Sequence, residues 1–134
     1  IVGGGLGGLA ACIALRSRGY DAHIFEAAPE LLRGSTGTGI MISPNGWKAM
    51  DAIDPTGQVT SLLREAGVPI TRQTIRVGNK TEEGINEVAK EFSIDSTVFA
   101  DTYGSLQYNV RWARAQEVLA SLLPPDCVHP GCAL

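Results

Sequence analysis

The chain opens Ile1-Val2-Gly3-Gly4-Gly5-Leu6-Gly7-Gly8-Leu9-Ala10, and the reading of this stretch decides the fold. Two β-branched residues read as the end of a buried strand, the glycines as a turn, and the residues after them as a helix. Leu6, Leu9, Ala10, Ile13 and Ala14 share one helical face at the i, i+3, i+4, i+7, i+8 spacing. The small members of that face let the helix lie close to a sheet. The pattern predicts a helix to about Arg18, with Gly19 as its stop signal. Asp21 to Phe25 then reads as a second strand. A strand, helix and strand with connections this short predict a parallel pair joined by a right-handed crossover.

Within that unit Gly3, Gly5 and Gly8 form G-x-G-x-x-G. The first glycine suits the tight turn, the second leaves room for a pyrophosphate against the backbone, and the third allows close packing of helix and strand. The helix start, with Leu6, offers free N–H groups and a partial positive charge to the diphosphate. Such a pattern alone is weak. It gains weight from Glu26, an acid at the end of the second strand, 18 residues after Gly8, where it would accept hydrogen bonds from a ribose diol. A carboxylate there disfavours a 2′-phosphate, and Ala27 and Ala28 supply no cation to offset it. The site therefore fits FAD or NAD and is poor for NADP.

The bulk properties agree with one folded domain. The 134 residues are 44% hydrophobic and 19% charged, without low-complexity tracts. A net charge of −3, with the basic residues scattered, gives no footprint for nucleic acid. No apolar run approaches the roughly 20 residues that span a bilayer, and no targeting segment is visible, which fits a cytoplasmic or organelle-soluble setting. Of the three cysteines, Cys12 sits in the helical apolar pattern as a small buried side chain would. Cys127, His129 and Cys132 lie close together but lack a fourth zinc ligand, so no metal site is expected. The chain begins inside a strand and stops after a short apolar stretch, so both ends are read as cut.

Further along, Arg33 to Gly39 reads as a glycine-rich loop leading into the apolar Ile40-Met41-Ile42. Pro44-Asn45 opens a short helix in which Trp47 and Met50 are read as core. A second helix carries Val59, Leu62, Leu63 and Ala66 and ends at Gly67. The period then changes to alternation: Ile70 to Val77 predicts a strand, with Glu87 to Ile94 as its hairpin partner. Glu82, Glu83 and Glu87 read as a solvated surface, and His23 as a packed or edge side chain. Leu106 to Arg111 predicts a strand, and the following helix runs through Leu123 to Pro124-Pro125.

Taken together, the glycine loop, Phe25-Glu26, Arg33, Gly37-Thr38-Gly39-Ile40 and Ser43-Pro44-Asn45-Gly46 resemble the opening of the class A flavoprotein monooxygenases. That group includes para-hydroxybenzoate hydroxylase, salicylate hydroxylase and zeaxanthin epoxidase. The resemblance implies an α/β chain: a Rossmann-like FAD-binding βαβ unit, with residues 68–110 contributing a hairpin to a substrate-domain sheet. It implies that residues 1–134 are a single, incomplete FAD-binding domain, with further cofactor motifs beyond Leu134. It also implies that Arg33 and Gly39 reach the cofactor and that Asn45 lies near the flavin end. A second family arginine is displaced, with Trp112 at its usual place. Arg111 or Arg114 flanks the gap, and Arg111 is the residue carried over. The implied activity is oxygenation of an aromatic or olefinic small molecule, with FAD as cofactor and NADH or NADPH as transient co-substrate. An NAD-dependent dehydrogenase domain, or a truncated non-catalytic nucleotide-binding fragment, are the alternatives.

Overall fold

Parallel pairing begins at the first residues: Phe25 N donates to Ile1 O (2.9 Å) and Gly3 N to Phe25 O (2.8 Å), bridging Val2 to Phe25. The computed structural model describes residues 1–31, 37–81 and 84–133, with backbone alone for 79–81, 85–87 and 89. Helix α1 (Leu6–Arg16) leads to strand β1 (Ile24–Glu26), as the opening stretch predicts. It stops short of Arg18, and Gly19 takes a positive φ of 84° in the turn that follows. On the other side β1 pairs in parallel with a strand that the sequence reading left out, Val128–Pro130, which ends up in register with Ile24–Glu26. β1 is thus the middle of three parallel segments.

Between them the chain forms β2 (Gly39–Ile42), α2 (Pro44–Ile53), α3 (Gln58–Ala66), β3 (Gly67–Ile70), β4 (Arg72–Thr81), β5 (Gly84–Asp95), α4 (Thr97–Tyr103), β6 (Gln107–Arg111) and α5 (Trp112–Ser121). A 3-10 turn at Pro125–Cys127 then leads into β7 (Val128–Pro130). Strands β2, β6 and β3 make an antiparallel sheet with β6 in the centre. Strands β4 and β5 make a separate two-stranded ribbon.

Three expectations need correction. Gly67 does more than end α3: it starts β3 against Val110 of β6. A side chain there would press on Val110 Cγ2 at 2.9 Å and Leu63 O at 3.1 Å, so only glycine lets the helix turn directly into a strand. The single strand predicted from Ile70 to Val77 is divided at Thr71, whose carbonyl accepts the Ser96 N–H at 2.9 Å. Helix α4 was not predicted. Its start is local, with the Asp95 carboxylate accepting Thr97 N–H (3.0 Å) and Oγ1–H (2.7 Å), and its end is Gly104 at φ 79°. The predicted hairpin is present, and both of its strands are longer than the alternation indicated.

Helices α1, α2, α3 and α5 enclose the core, with α5 against both α1 and α3. Leu9, Ile13, Ile24, Trp47, Val59, Leu63, Val110 and Leu119 fill it, together with Cys12, buried as expected. Trp47 is 1% exposed, donates Nε1–H to Leu106 O (3.1 Å), meets Tyr108 edge-on and carries the Arg64 guanidinium over its ring. Met50 packs at the margin of the same core.

Buried Asp54 fastens α2 to α3. Its carboxylate accepts Thr56 N–H (3.0 Å), Thr56 Oγ1–H (2.6 Å) and Val59 N–H (2.9 Å). Burial works to raise its pKa, but these donors outweigh burial and hold the carboxyl below the usual range. With the folded value under the unfolded one, the stabilisation is complete above about pH 4 and fades as pH falls through the folded value. Asp54→Ala should therefore cost about 1–2 kcal/mol in urea unfolding at pH 7. The gap from the parent protein should narrow toward pH 3; a gap that stays constant would show that the ionised form is not what stabilises the helix.

Candidate functional site

The turn from the first strand into α1 is built as the three glycines predict. Gly3 has a φ of 94°, which a side chain would resist. A Cβ at Gly8 would collide with the carbonyl oxygen of Gly3, so helix and strand can close only around a glycine. A Cβ at Gly5 would meet nothing within 4 Å. Gly5 is also the N-cap of α1, with no side chain hydrogen-bonding the first turn and no acidic residue within it. An uncapped helix start beside open space, reached by bare backbone, is what an anionic diphosphate needs.

Glu26, at the end of β1, turns back onto this loop. One carboxylate oxygen accepts Gly4 N–H at 2.6 Å and the other accepts Ala28 N–H at 2.8 Å. Acid and glycine turn are thereby fixed edge to edge. An acid at the end of this strand stands where the dinucleotide-binding fingerprint puts the acceptor of a ribose diol.

A second group forms where β2 meets β6. Gly39 and Arg111 are cross-strand partners, so two further predicted residues are adjacent. Trp112 begins α5 and donates N–H to Thr38 O (2.8 Å), and its side chain lies where a Cβ on Gly37 would come within 3.2 Å. The tryptophan at the displaced arginine position is therefore a packing element over the Gly37 turn. Arg111 and Arg114 line a groove with Ala66, Ala113 and Glu117, and Arg114 pairs with Glu117 at 2.9 Å.

One turn into α5 stands Gln116, a residue the sequence reading missed, whose Nε2 reaches Gly4 O (3.0 Å) and Leu31 O (3.1 Å). It joins the two groups. The one signal for it was a polar residue beside Ala115, Val118 and Leu119 on a helix face that is otherwise apolar.

Asn45 is the second residue of α2 and exposed, in a groove of about 420 Å³ with Lys48, Phe99, Tyr103 and Gln107. Arg33 lies outside the described residues, as do Glu82 and Glu83. His23, just before β1, is half-buried, with Nδ1 2.9 Å from His129 Nε2 and Nε2 3.2 Å from Asp21. Cys127 is fully buried. Burial, reinforced by the neighbouring Cys127 thiol, pushes the Cys12 thiol up, so it stays protonated at neutral pH. Among the described residues no group of three or more His, Cys, Asp or Glu side chains is placed to hold a metal ion, and no helix is long and apolar enough to cross a membrane.

A family model for the NAD(P)-binding Rossmann-like domain matches residues 1–66, the segment that contains the glycine turn and Glu26. Over 99% of its length the chain is 31% identical to 3-amino-4-hydroxybenzoate 2-monooxygenase of Streptomyces cremeus, covering 31% of that protein. Over nearly its whole length the chain is thus similar to the N-terminal part of an FAD-type aromatic monooxygenase. Over 40% of its length the chain is 47% identical to 3-hydroxybenzoate 6-hydroxylase of Polaromonas naphthalenivorans, covering 13% of that relative. Klebsiella pneumoniae HpxO, crystallised with FAD and uric acid, superposes with a TM-score of 0.71 at 27% identity, over 98% of this chain and 30% of that one. The chain thus spans about a third of the length of the Streptomyces relative and of HpxO. The first two are named as a monooxygenase and a hydroxylase, and the dehydrogenase alternative gains no support.

The glycine geometry separates folding from binding. Gly8→Ala should lower stability by about 2 kcal/mol or more, as overpacking against backbone does. Gly5→Ala should cost under about 1 kcal/mol. Urea unfolding of the two variants measures both, and equal losses would contradict the steric account.

Proposed function

We propose that this chain is the FAD-binding portion of a flavin-dependent monooxygenase that uses NAD(P)H and O2 to hydroxylate or epoxidise an aromatic or olefinic small molecule. The observation that carries the reading is the bare N-terminus of α1, open at Gly5 and bordered by the Glu26 carboxylate. Gly3, Gly5, Leu6 and Gly8 would hold the diphosphate and Glu26 the adenosine ribose. Gly39 and Arg111, on the β2–β6 pair, would border the ribityl side, with Arg33 reaching the cofactor from the preceding loop and Asn45 toward the flavin ring. The bound flavin supplies the redox and oxygen chemistry. The chain's own task is to bind and orient it.

The same reading takes residues 68–110 as the edge of a substrate-domain sheet. The β4–β5 ribbon fits that role, since Ile75, Val77, Phe92 and Ile94 expose an apolar stripe that a two-stranded ribbon cannot bury by itself. The named relatives act on small aromatic molecules such as hydroxybenzoates, and a substrate of that kind is proposed here.

Flavin fluorescence titration of the chain tests the reading directly. FAD should bind and quench, and Glu26→Ala should weaken it about tenfold, roughly 1.4 kcal/mol. FMN, which lacks the adenosine half, should bind the two proteins alike. Protein made from the intact gene should be yellow and show substrate-stimulated NAD(P)H oxidation; a colourless product that binds no FAD would overturn the assignment.

A further inference from the structure

We infer that Gln116 is a positioning residue that aims the Gly5 amide at the cofactor diphosphate, an inference that rests on the FAD-binding reading above. Gln116 is 6% exposed, and a neutral amide nitrogen carries two donor hydrogens. Both are used, one on Gly4 O at 3.0 Å and the other on Leu31 O at 3.1 Å. Gly4 is held from the opposite side as well, because its N–H is taken by Glu26 Oε2 at 2.6 Å.

The consequence follows from peptide geometry. Gly4 C=O and Gly5 N–H belong to one planar trans peptide, so they point in opposite directions. Drawing the Gly4 carbonyl inward to α5 turns the Gly5 N–H the other way, at a residue where an added Cβ would meet nothing within 4 Å. Two glycines in succession would otherwise let this peptide rotate at little cost. Leu31 is bound by the same side chain, and a Cβ on Gly4 would run into the Leu31 methyl group. One side chain therefore fixes the loop amide and anchors the segment that leads on to Arg33.

No near neighbour of glutamine can substitute. Methionine fills the space but donates nothing, so the buried Gly4 carbonyl and the half-buried Leu31 carbonyl both lose this donor. Glutamate has no donor when ionised and sets a negative charge beside two carbonyl oxygens; when protonated it regains one donor.

The test is FAD affinity of the chain and of Gln116→Met and Gln116→Glu, by flavin fluorescence at pH 7.5 and pH 5.5, with circular dichroism to follow folding. Gln116→Met should bind at least tenfold more weakly at both pH values with its helical spectrum retained. Gln116→Glu should be the weakest at pH 7.5 and regain several-fold at pH 5.5 relative to the parent, a pH profile that a simple packing role would not produce. In the parent chain, 15N NMR should show the Gly5 amide shifting more on FAD addition than the helix amides beyond Ala10, which needs no variant to fold. If the parent does not bind FAD, the functional reading itself fails and this inference falls with it. If the parent binds but Gln116→Met binds within twofold of it, or the Gly5 amide does not respond, the positioning role alone is overturned.

Discussion

Everything near the glycine turn depends on one residue being gripped at both polar atoms. Gly4 gives its N–H to Glu26 and its carbonyl to Gln116, and these partners come from the end of β1 and the middle of α5. A buried hydrogen bond contributes about 1 kcal/mol net, but a buried polar group left without a partner costs about 1–3 kcal/mol. The two bonds therefore do little for global stability compared with what they forbid. They exclude loop conformations in which the backbone faces the helix start differently, and so convert a flexible glycine run into a fixed cradle.

Much of this was legible in the sequence because it is local. The glycine spacing and the acid after the second strand have steric and electrostatic reasons that need no partner elsewhere, and both appear where they should. The helices at Trp47 and Val59 follow from apolar period, and the ribbon follows from alternation between Ile70 and Ile94. What escaped depends on distant partners. Val128-His129-Pro130 has neither length nor alternation, and becomes a strand only because Ile24–Glu26 offers it a free edge. Gly67 has the look of a helix stop, and its second role as a strand start is visible only once Val110 is alongside. Helix α4 is a single seven-residue element whose Thr, Val and Phe are weak helix formers, so its existence rests on the Asp95–Thr97 hydrogen bonds at its start and on packing against α2.

Of the candidate site, the residues tied to the first turn were readable from chemistry alone, and those near β2 and β6 only through resemblance. The structure brings Gly39 and Arg111 together as strand partners, which no spacing rule would have paired. It also explains the tryptophan that stands in an arginine's place. Trp112 covers the Gly37 turn, and the neighbouring arginine on β6 is left exposed beside Gly39. Gln116 illustrates a general lesson: a lone polar side chain on an apolar helix face marks a backbone carbonyl that needs a donor.

The pairing of β1 with β7 has a consequence for how the molecule assembles. On the ribosome β1 emerges well before β7, with β2 to β6 and α2 to α5 made in between. Antiparallel pairs such as β4 with β5 can zip as soon as they are synthesised, because their loop closure is short. The parallel sheet cannot be completed in that way. Until Val128–Pro130 arrives, β1 presents an unsatisfied row of backbone groups, an edge open to other chains. This three-residue strand is thus the latch that completes the parallel sheet beside the glycine turn, and nascent chains in which it has not yet formed are the ones most exposed to misassociation.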